Sequence, residues 1–276
     1  MKLETEKKFV DDLSHDYIRI VEADEHKNVL DLDLLKVSSK NFTKPVVLRG
    51  MVPLSPDVTT REFLEVEADQ QLLWREKQGD QGVAFRDQDG KTDYNYVSGV
   101  EGSAKEYLDQ IFVEQKDVYA HLGKVSSGFK ELHKFPWGKT LFGHLKEEVF
   151  RTEWFDVPGW ELSGHCFLGN NTEMFAEPSS GAPGSDWHMF PTLNMFVMVA
   201  GTKKWMTRPP QPGDQHHNQE ELVFPTGGRE CPLEEQEYDT VYLQSGDVLV
   251  NVPYEWHKVL NARGWSLGAA FRIIDR

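Results

Sequence analysis

A chain of 276 residues with 39% hydrophobic and 12% aromatic content carries enough apolar material for one large folded domain, which excludes a disordered or fibrous class. Its 30 Lys and Arg against 45 Asp and Glu leave a formal charge of -15; such a surface repels phosphate backbones and anionic bilayers, so neither nucleic acid nor membrane is the expected partner. Cys166 and Cys231 are the only cysteines and the first residues are charged without an apolar stretch, so a reducing, cytoplasmic setting is expected. No apolar run approaches the roughly 20 residues of a spanning helix, and the Asn41-Phe42-Thr43 and Asn170-Asn171-Thr172 sequons read as chance in a chain without an export signal.

In chain order, residues 1–159 read as a mixed helical part. Lys44-Pro45-Val46-Val47-Leu48-Arg49-Gly50 is a short apolar run between Pro and Gly, the form of a buried strand. Thr59-Thr60-Arg61-Glu62 has capping-box form and predicts a polar helix running through Trp74. Ser103-Ala104-Lys105-Glu106 opens a second helix whose Tyr107, Leu108, Ile111, Phe112, Val118, Tyr119 and Leu122 recur at helical spacing and read as core.

From residue 160 to 276 the character changes. Strand-like runs at Leu162–Leu168, Trp187–Val199, Lys203–Arg208, Tyr238–Leu243, Val248–Val252 and Ser266–Ile274 alternate with Gly- and Pro-rich turns. Closely spaced strands of this kind predict an antiparallel barrel or double-sheet jelly roll, so the whole is expected to be mainly β with a helical elaboration. Pro209 to Pro232 is polar and aperiodic and reads as a surface insertion.

Alternation along a strand puts Asp186, His188 and Phe190 on one face and Trp187 and Met189 on the other. His257 follows His188 by 69 positions, and the two meet only if the sheet closes. Each histidine alone is more readily read as a hydrogen-bonded core residue, and it is the matched pair that points to a metal. Other candidates are weaker: Trp137-Gly138-Lys139-Thr140 lacks the earlier glycine of a phosphate loop, since that place is His133. His216-His217 reads as a solvated pair, His165 and Cys166 as core, Asp247 as the turn before its strand, and Trp256 as packing at a corner.

Lys44 to Gly50, His188 with Asn194, Gly201-x-Lys203 before Pro209-Pro210, and Gly246-Asp247 leading through Pro253 to Trp256-His257 together form a pattern that covers most of the chain. It resembles the Jumonji C-type branch of the cupin superfamily, the 2-oxoglutarate-dependent non-haem Fe(II) oxygenases, its asparaginyl hydroxylases most of all. The resemblance implies one domain over 1–276 with a double-stranded β-helix barrel in 160–276, Fe(II) as metal and 2-oxoglutarate as cosubstrate. It implies His188 and His257 as iron ligands and Asn194 as a polar cosubstrate contact. Lys203, fifteen positions beyond His188, is implied as the partner of the distal carboxylate, a task suited to an ammonium in a partly dry barrel.

Phe190 stands where the family has its aspartate. A facial triad needs two imidazoles and a carboxylate, and phenylalanine has no lone pair to give. Three readings follow: Asp186, or a carboxylate such as Glu173 or Glu177, supplies the third ligand and oxygenase chemistry survives; the barrel is a non-catalytic or repurposed binding protein; or the open place takes chloride, as in iron halogenases, against which the bulk of Phe190 argues. The first is favoured, because Lys203, Asn194 and His257 are all in place. The substrate expected is a protein, a peptide or a small molecule.

Overall fold

The computed structural model describes residues 17–22, 43–52, 60–65, 71–76, 100–122, 160–177, 184–189, 193–208 and 238–275. Thirteen strands and two short helices lie in these residues. In chain order they are β1 (Arg19–Glu22), β2 (Val46–Arg49), α1 (Arg61–Glu65), β3 (Gln71–Glu76), β4 (Val100–Ser103), α2 (Ala104–Phe112) and β5 (Val118–Leu122). There follow β6 (Trp160–Asn171), β7 (Gly184–His188), β8 (Leu193–Ala200), β9 (Thr202–Arg208), β10 (Asp239–Gln244), β11 (Val248–Asn251), β12 (Trp256–Asn261) and β13 (Gly264–Asp275).

The chain is mainly β and its strands form two sheets. Nine strands lie in the order β1-β2-β11-β8-β13-β6-β5-β3-β4 and four in the order β10-β9-β12-β7. From β6 to β9 the chain changes sheet at every step, and again from β10 to β13; only the β9–β10 hairpin stays in one sheet. Gly201 turns the chain from β8 into β9 at φ +82, and a Cβ there would stand 2.5 Å from the Trp265 carbonyl oxygen, so only glycine fits.

β8 explains how a single strand serves two cores. All eight of its residues are buried. Met195, Val197 and Val199 join a cluster with Leu64 of α1 and Tyr107, Leu108 and Ile111 of α2, which cover the outer face of the large sheet. Phe196 and Met198 join Trp205, Val241, Leu243 and Val259 of the small sheet. Strand alternation thus gives one face to the helices and the other to the space between the sheets.

Three expectations for the first 159 residues are corrected. The helix expected from Thr59 through Trp74 is limited to Arg61–Glu65, with the Thr60 hydroxyl accepting from Phe63 N at 3.2 Å, and Trp74 is buried on β3. The helix opened by Ser103 has both halves of its capping box but ends at Phe112, so Val118, Tyr119 and Leu122 belong to β5. Val118 and Ala120 are buried beside α2, where a strand edge already offers hydrogen bonds from β6, and tertiary pairing overrides the helical spacing. The part expected to be largely helical therefore adds five strands to the large sheet. The run expected as one strand, Trp187–Val199, is divided between β7 and β8 in different sheets. The expected insertion from Pro209 to Pro232 lies outside the described residues, among which no helix is long and apolar enough to cross a membrane.

Candidate functional site

The register of the small sheet places polar residues in a row. Asp239 of β10 pairs with Thr207 of β9, Thr207 with His257 of β12, and His257 with His188 of β7. Directly paired residues share a sheet face, and the next positions on that face, Val241, Trp205 and Val259, belong to the core between the sheets. The row therefore looks inward. The two imidazoles are buried with ring centroids 4.1 Å apart, so the two histidines converge as the sequence pattern requires.

His257 is held from two sides. Its Nδ1 lies 3.1 Å from the Glu255 carbonyl oxygen, an arrangement in which Nδ1–H donates and Nε2 keeps its lone pair. Trp205 stacks on the ring at 5.3 Å with an interplanar angle of 14°. Glu255 itself is buried. Its carboxyl accepts from the Thr207 hydroxyl and, at 3.0 Å, from Val252 N, closing the Pro253-Tyr254 corner, where Tyr254 sits at φ 62. Burial pushes this carboxyl up to about 8, and its two hydrogen bonds only partly offset that. Nearby, burial and the charges of Glu255 and Asp239 push the Tyr17 phenol up.

The large sheet supplies the facing row. Asn251 of β11 pairs with Asn194 of β8, and Asn194 with Arg272 of β13, whose side chain lies outside the described residues. Asn194 and Asn251 share their faces with Phe196 and Leu249 of the inner core. Their level is fixed by β1: Arg19 N donates to the Pro45 carbonyl, next to the β2–β11 pairing that ends at Val250, one residue before Asn251, while Tyr17 N and Ile18 N donate to Asp239 Oδ2 at 2.7 and 2.9 Å. One end of the inter-sheet space is thus bounded by the histidine row on one side and the asparagine row on the other. Asn194 Oδ1 and both polar atoms of Asn251 are buried without a hydrogen-bond partner among the described residues.

Lys203 occupies the other end. It pairs with Asn261 and Leu243 and is only 2% exposed, with its ammonium donating to Asn261 Oδ1 and lying 5.9 Å from the Tyr119 ring centre. Desolvation pushes it down to about 7, with a small opposing influence from Cys166. Thr207 opposite His257 and Lys203 opposite Asn261 are four positions apart on β9, or roughly 13 Å along the strand. Lys204, the next residue on β9, alternates to the outer face.

Neither the matching of family models nor comparison with curated proteins finds a relative of this chain.

The remaining candidates divide clearly. Glu173 and Glu177 are exposed, and Glu177 pairs with Lys258, which alternates away from His257. Phe190 and the side chains of Asp186 and His165 lie outside the described residues, among which no three His, Cys, Asp or Glu are grouped to hold a metal ion. Asp247 has the turn role expected, accepting from Arg49, from Gly50 N at 2.9 Å and from Gln244 N at 2.9 Å. Trp256 is buried at the corner, with the Arg208 guanidinium 5.3 Å from its ring centre. Reading the residues singly missed Asn251, Asn261, Asp239 and Glu255; the alternation of Gly246 to His257 carried a signal for Asn251, a polar residue within an apolar strand.

Proposed function

We propose that this chain is a jelly-roll protein acting as a 2-oxoglutarate-dependent, non-haem Fe(II) oxygenase of hydroxylase type, with an atypical metal site. The eight strands β6 to β13, four in each sheet and wound by repeated crossing, support the double-stranded β-helix. One observation carries the functional reading: His188, His257 and buried Lys203 share one inner face, the lysine standing four residues along from the histidine row.

The residues fit the cosubstrate well. A buried ammonium whose hydrogen bond among the described residues goes to a carboxamide oxygen, some 13 Å in backbone terms from two imidazoles, suits a five-carbon dicarboxylate reaching between them. Lys203 and Asn261 would hold the distal carboxylate, and Asn194 would orient the polar groups near the histidines. Trp205 and Phe196, 5.0 Å apart, wall the space with aromatic surface and keep water from it. The fit to Fe(II) rests on His188 and His257, because Phe190 has no lone pair and the third place falls to another protein group or to solvent. When bound, iron with 2-oxoglutarate supplies two-electron activation of oxygen, yielding succinate, carbon dioxide and a hydroxylated substrate.

Anaerobic addition of Fe(II) and 2-oxoglutarate is expected to give a weak visible charge-transfer band, and oxygen then to drive succinate formation. Absence of both overturns the oxygenase. Phe190→Asp is expected to raise iron affinity by about tenfold or more, since it restores the missing carboxylate. Phe190 also favours a second reading, a binding protein on the same barrel, which is supported if ligand affinity is independent of metal and unchanged in His257→Ala. Turnover dependent on chloride would instead point to halogenation.

A further inference from the structure

The hydrogen bonding at the lysine end is half complete. Lys203 is 2% exposed, and among the described residues its nitrogen donates once, to the neutral Asn261 Oδ1. An ammonium has three donors, so the setting serves an uncharged amine better than a cation, and desolvation acts in the same sense, pushing the group down to about 7. Asn261 is itself 1% exposed, and its Nδ2 has no partner among the described residues. The carboxamide thus presents at the tip of Lys203 an acceptor that the nitrogen uses and a donor that an ammonium cannot use. A buried donor left unmatched is costly.

We propose that Lys203 is a carbamylation site, where carbon dioxide adds to the side-chain nitrogen and Asn261 holds the product. The uncharged amine attacks carbon through its lone pair. The N–C bond forms, the electrons of one C–O π bond move onto oxygen, and one proton leaves the nitrogen for solvent, giving a carbamate anion with nothing oxidised or reduced. In that planar group one oxygen always lies on the same side as the remaining N–H. This edge, a donor beside an acceptor, matches Oδ1 and Nδ2 of a single carboxamide with two parallel hydrogen bonds, which offset part of the cost of burying the anion. Burial also selects the electrophile, since carbon dioxide is small, uncharged and has no ionic hydration to shed. An apolar route leads to it: ring contacts of 5.0, 6.0 and 6.2 Å link Trp205, Phe196, Phe167 and Tyr119, and the Tyr119 ring centre lies 5.9 Å from the Lys203 nitrogen.

The modification reverses the charge of the site. An ammonium suits the distal carboxylate of 2-oxoglutarate, whereas a carbamate repels it, so carbon dioxide, a product of the proposed reaction, opposes rebinding of the cosubstrate. This regulatory consequence rests on the oxygenase reading; the carbamate rests on Lys203 and Asn261 alone.

The test places the full chain, without iron, in buffer containing carbon-13-labelled bicarbonate in equilibrium with carbon dioxide, and reads it by carbon-13 NMR. A carbamate resonance absent from Lys203→Met is expected, beside the signal of the α-amino group that both chains share. Methyl trapping of the wild-type carbamate followed by peptide mass mapping is expected to place it on Lys203, and decides the matter if Lys203→Met fails to fold. Asn261→Leu is expected to need about tenfold more carbon dioxide for half occupancy. With half of the chains carbamylated, the apparent affinity for 2-oxoglutarate in isothermal titration is expected to fall about twofold, and saturating 2-oxoglutarate to remove the Lys203 resonance. No signal dependent on Lys203, or trapping on other amines only, overturns the site; equal occupancy in Asn261→Leu overturns the role of Asn261, and both ligands bound at once overturns the switch. A chain that carbamylates but makes no succinate loses the oxygenase reading and keeps the modification; one that makes succinate and takes up no carbon dioxide loses only the modification.

Discussion

The lysine end and the histidine end lie on one continuous sheet face, yet they are built by different means. At the lysine end a single ammonium is buried against one amide oxygen, with the aromatic ring of Tyr119 near it. At the histidine end no single residue dominates: two imidazoles from adjacent strands face two carboxamides from the other sheet, and Glu255 braces the corner between β11 and β12. On the proposed reading, the difference teaches that the anion site is made by one buried charge, whereas the reacting centre needs several strands brought into register. It also separates their failure modes, since one end fails by losing a charge and the other by losing alignment.

The largest expected effect removes the charge. Lys203→Met keeps length and apolar volume while deleting the ammonium, and 2-oxoglutarate affinity is expected to fall roughly 1,000-fold, the scale of losing one partner of a desolvated ion pair. Isothermal titration with 2-oxoglutarate checks this, and a loss under about threefold would move the anion elsewhere. Removing alignment is expected to act on the metal instead: His257→Ala should abolish measurable Fe(II) binding at micromolar concentrations while leaving the lysine end able to bind propionate. Joint loss of both in either variant would mean that the two ends are one cooperative unit.

The lysine end was legible in the sequence because its signal is local. Gly201, Lys203 and the strand after them stand in a fixed spacing, and alternation alone tells Lys203 from Lys204. The histidine pair was legible as two positions, although only the β7–β12 register brings them together. Asn251 and Asp239 were not legible as partners of the site, because they reach it through strand order: Asn251 through its pairing with Asn194, and Asp239 through the row that runs across four strands. The boundary errors have a similar origin. Val118 and Tyr119 continue a helical spacing from Ile111, but β6 offers them a ladder, and sheet pairing wins over local period. His188 and Asn194 looked like one strand in sequence, whereas the chain leaves the small sheet after His188 and enters the large one at Leu193.

The two ends also oppose one another in pH. Lys203 lies at about 7 in the fold against an ordinary 10.5, so between those values the unfolded chain holds a proton that the folded chain lacks, and stability rises with pH. Glu255 lies at about 8 against an ordinary 4.5, so between those values the folded chain holds the extra proton, and stability falls as pH rises. The metal-free protein should therefore lose stability from the acid side and regain it on the alkaline side, each limb on the order of a few kcal/mol. Denaturant titrations across pH check this. Glu255→Gln is expected to flatten the limb below pH 8, and Lys203→Met the limb above pH 7; saturating 2-oxoglutarate should flatten the second as well, by keeping the ammonium charged. A wild-type curve equal to both variants would mean that neither group titrates where its burial places it.

The smallest expected effect separates two ways in which Glu255 could support His257. Its carbonyl holds the imidazole Nδ1, while its carboxyl takes the Thr207 hydroxyl and the Val252 amide. Thr207→Val removes only the hydroxyl, from the strand directly opposite His257, at nearly constant volume. Stability is expected to drop by about 1 kcal/mol, more above pH 8, where the carboxyl is charged, than at acid pH. Iron affinity is expected to change by less than about threefold, because the carbonyl and the Trp205 stack still orient the ring. If affinity instead falls as far as in His257→Ala, the carboxyl rather than the carbonyl sets the imidazole, and the alignment of the histidine end extends from the sheet register into the corner that Glu255 closes.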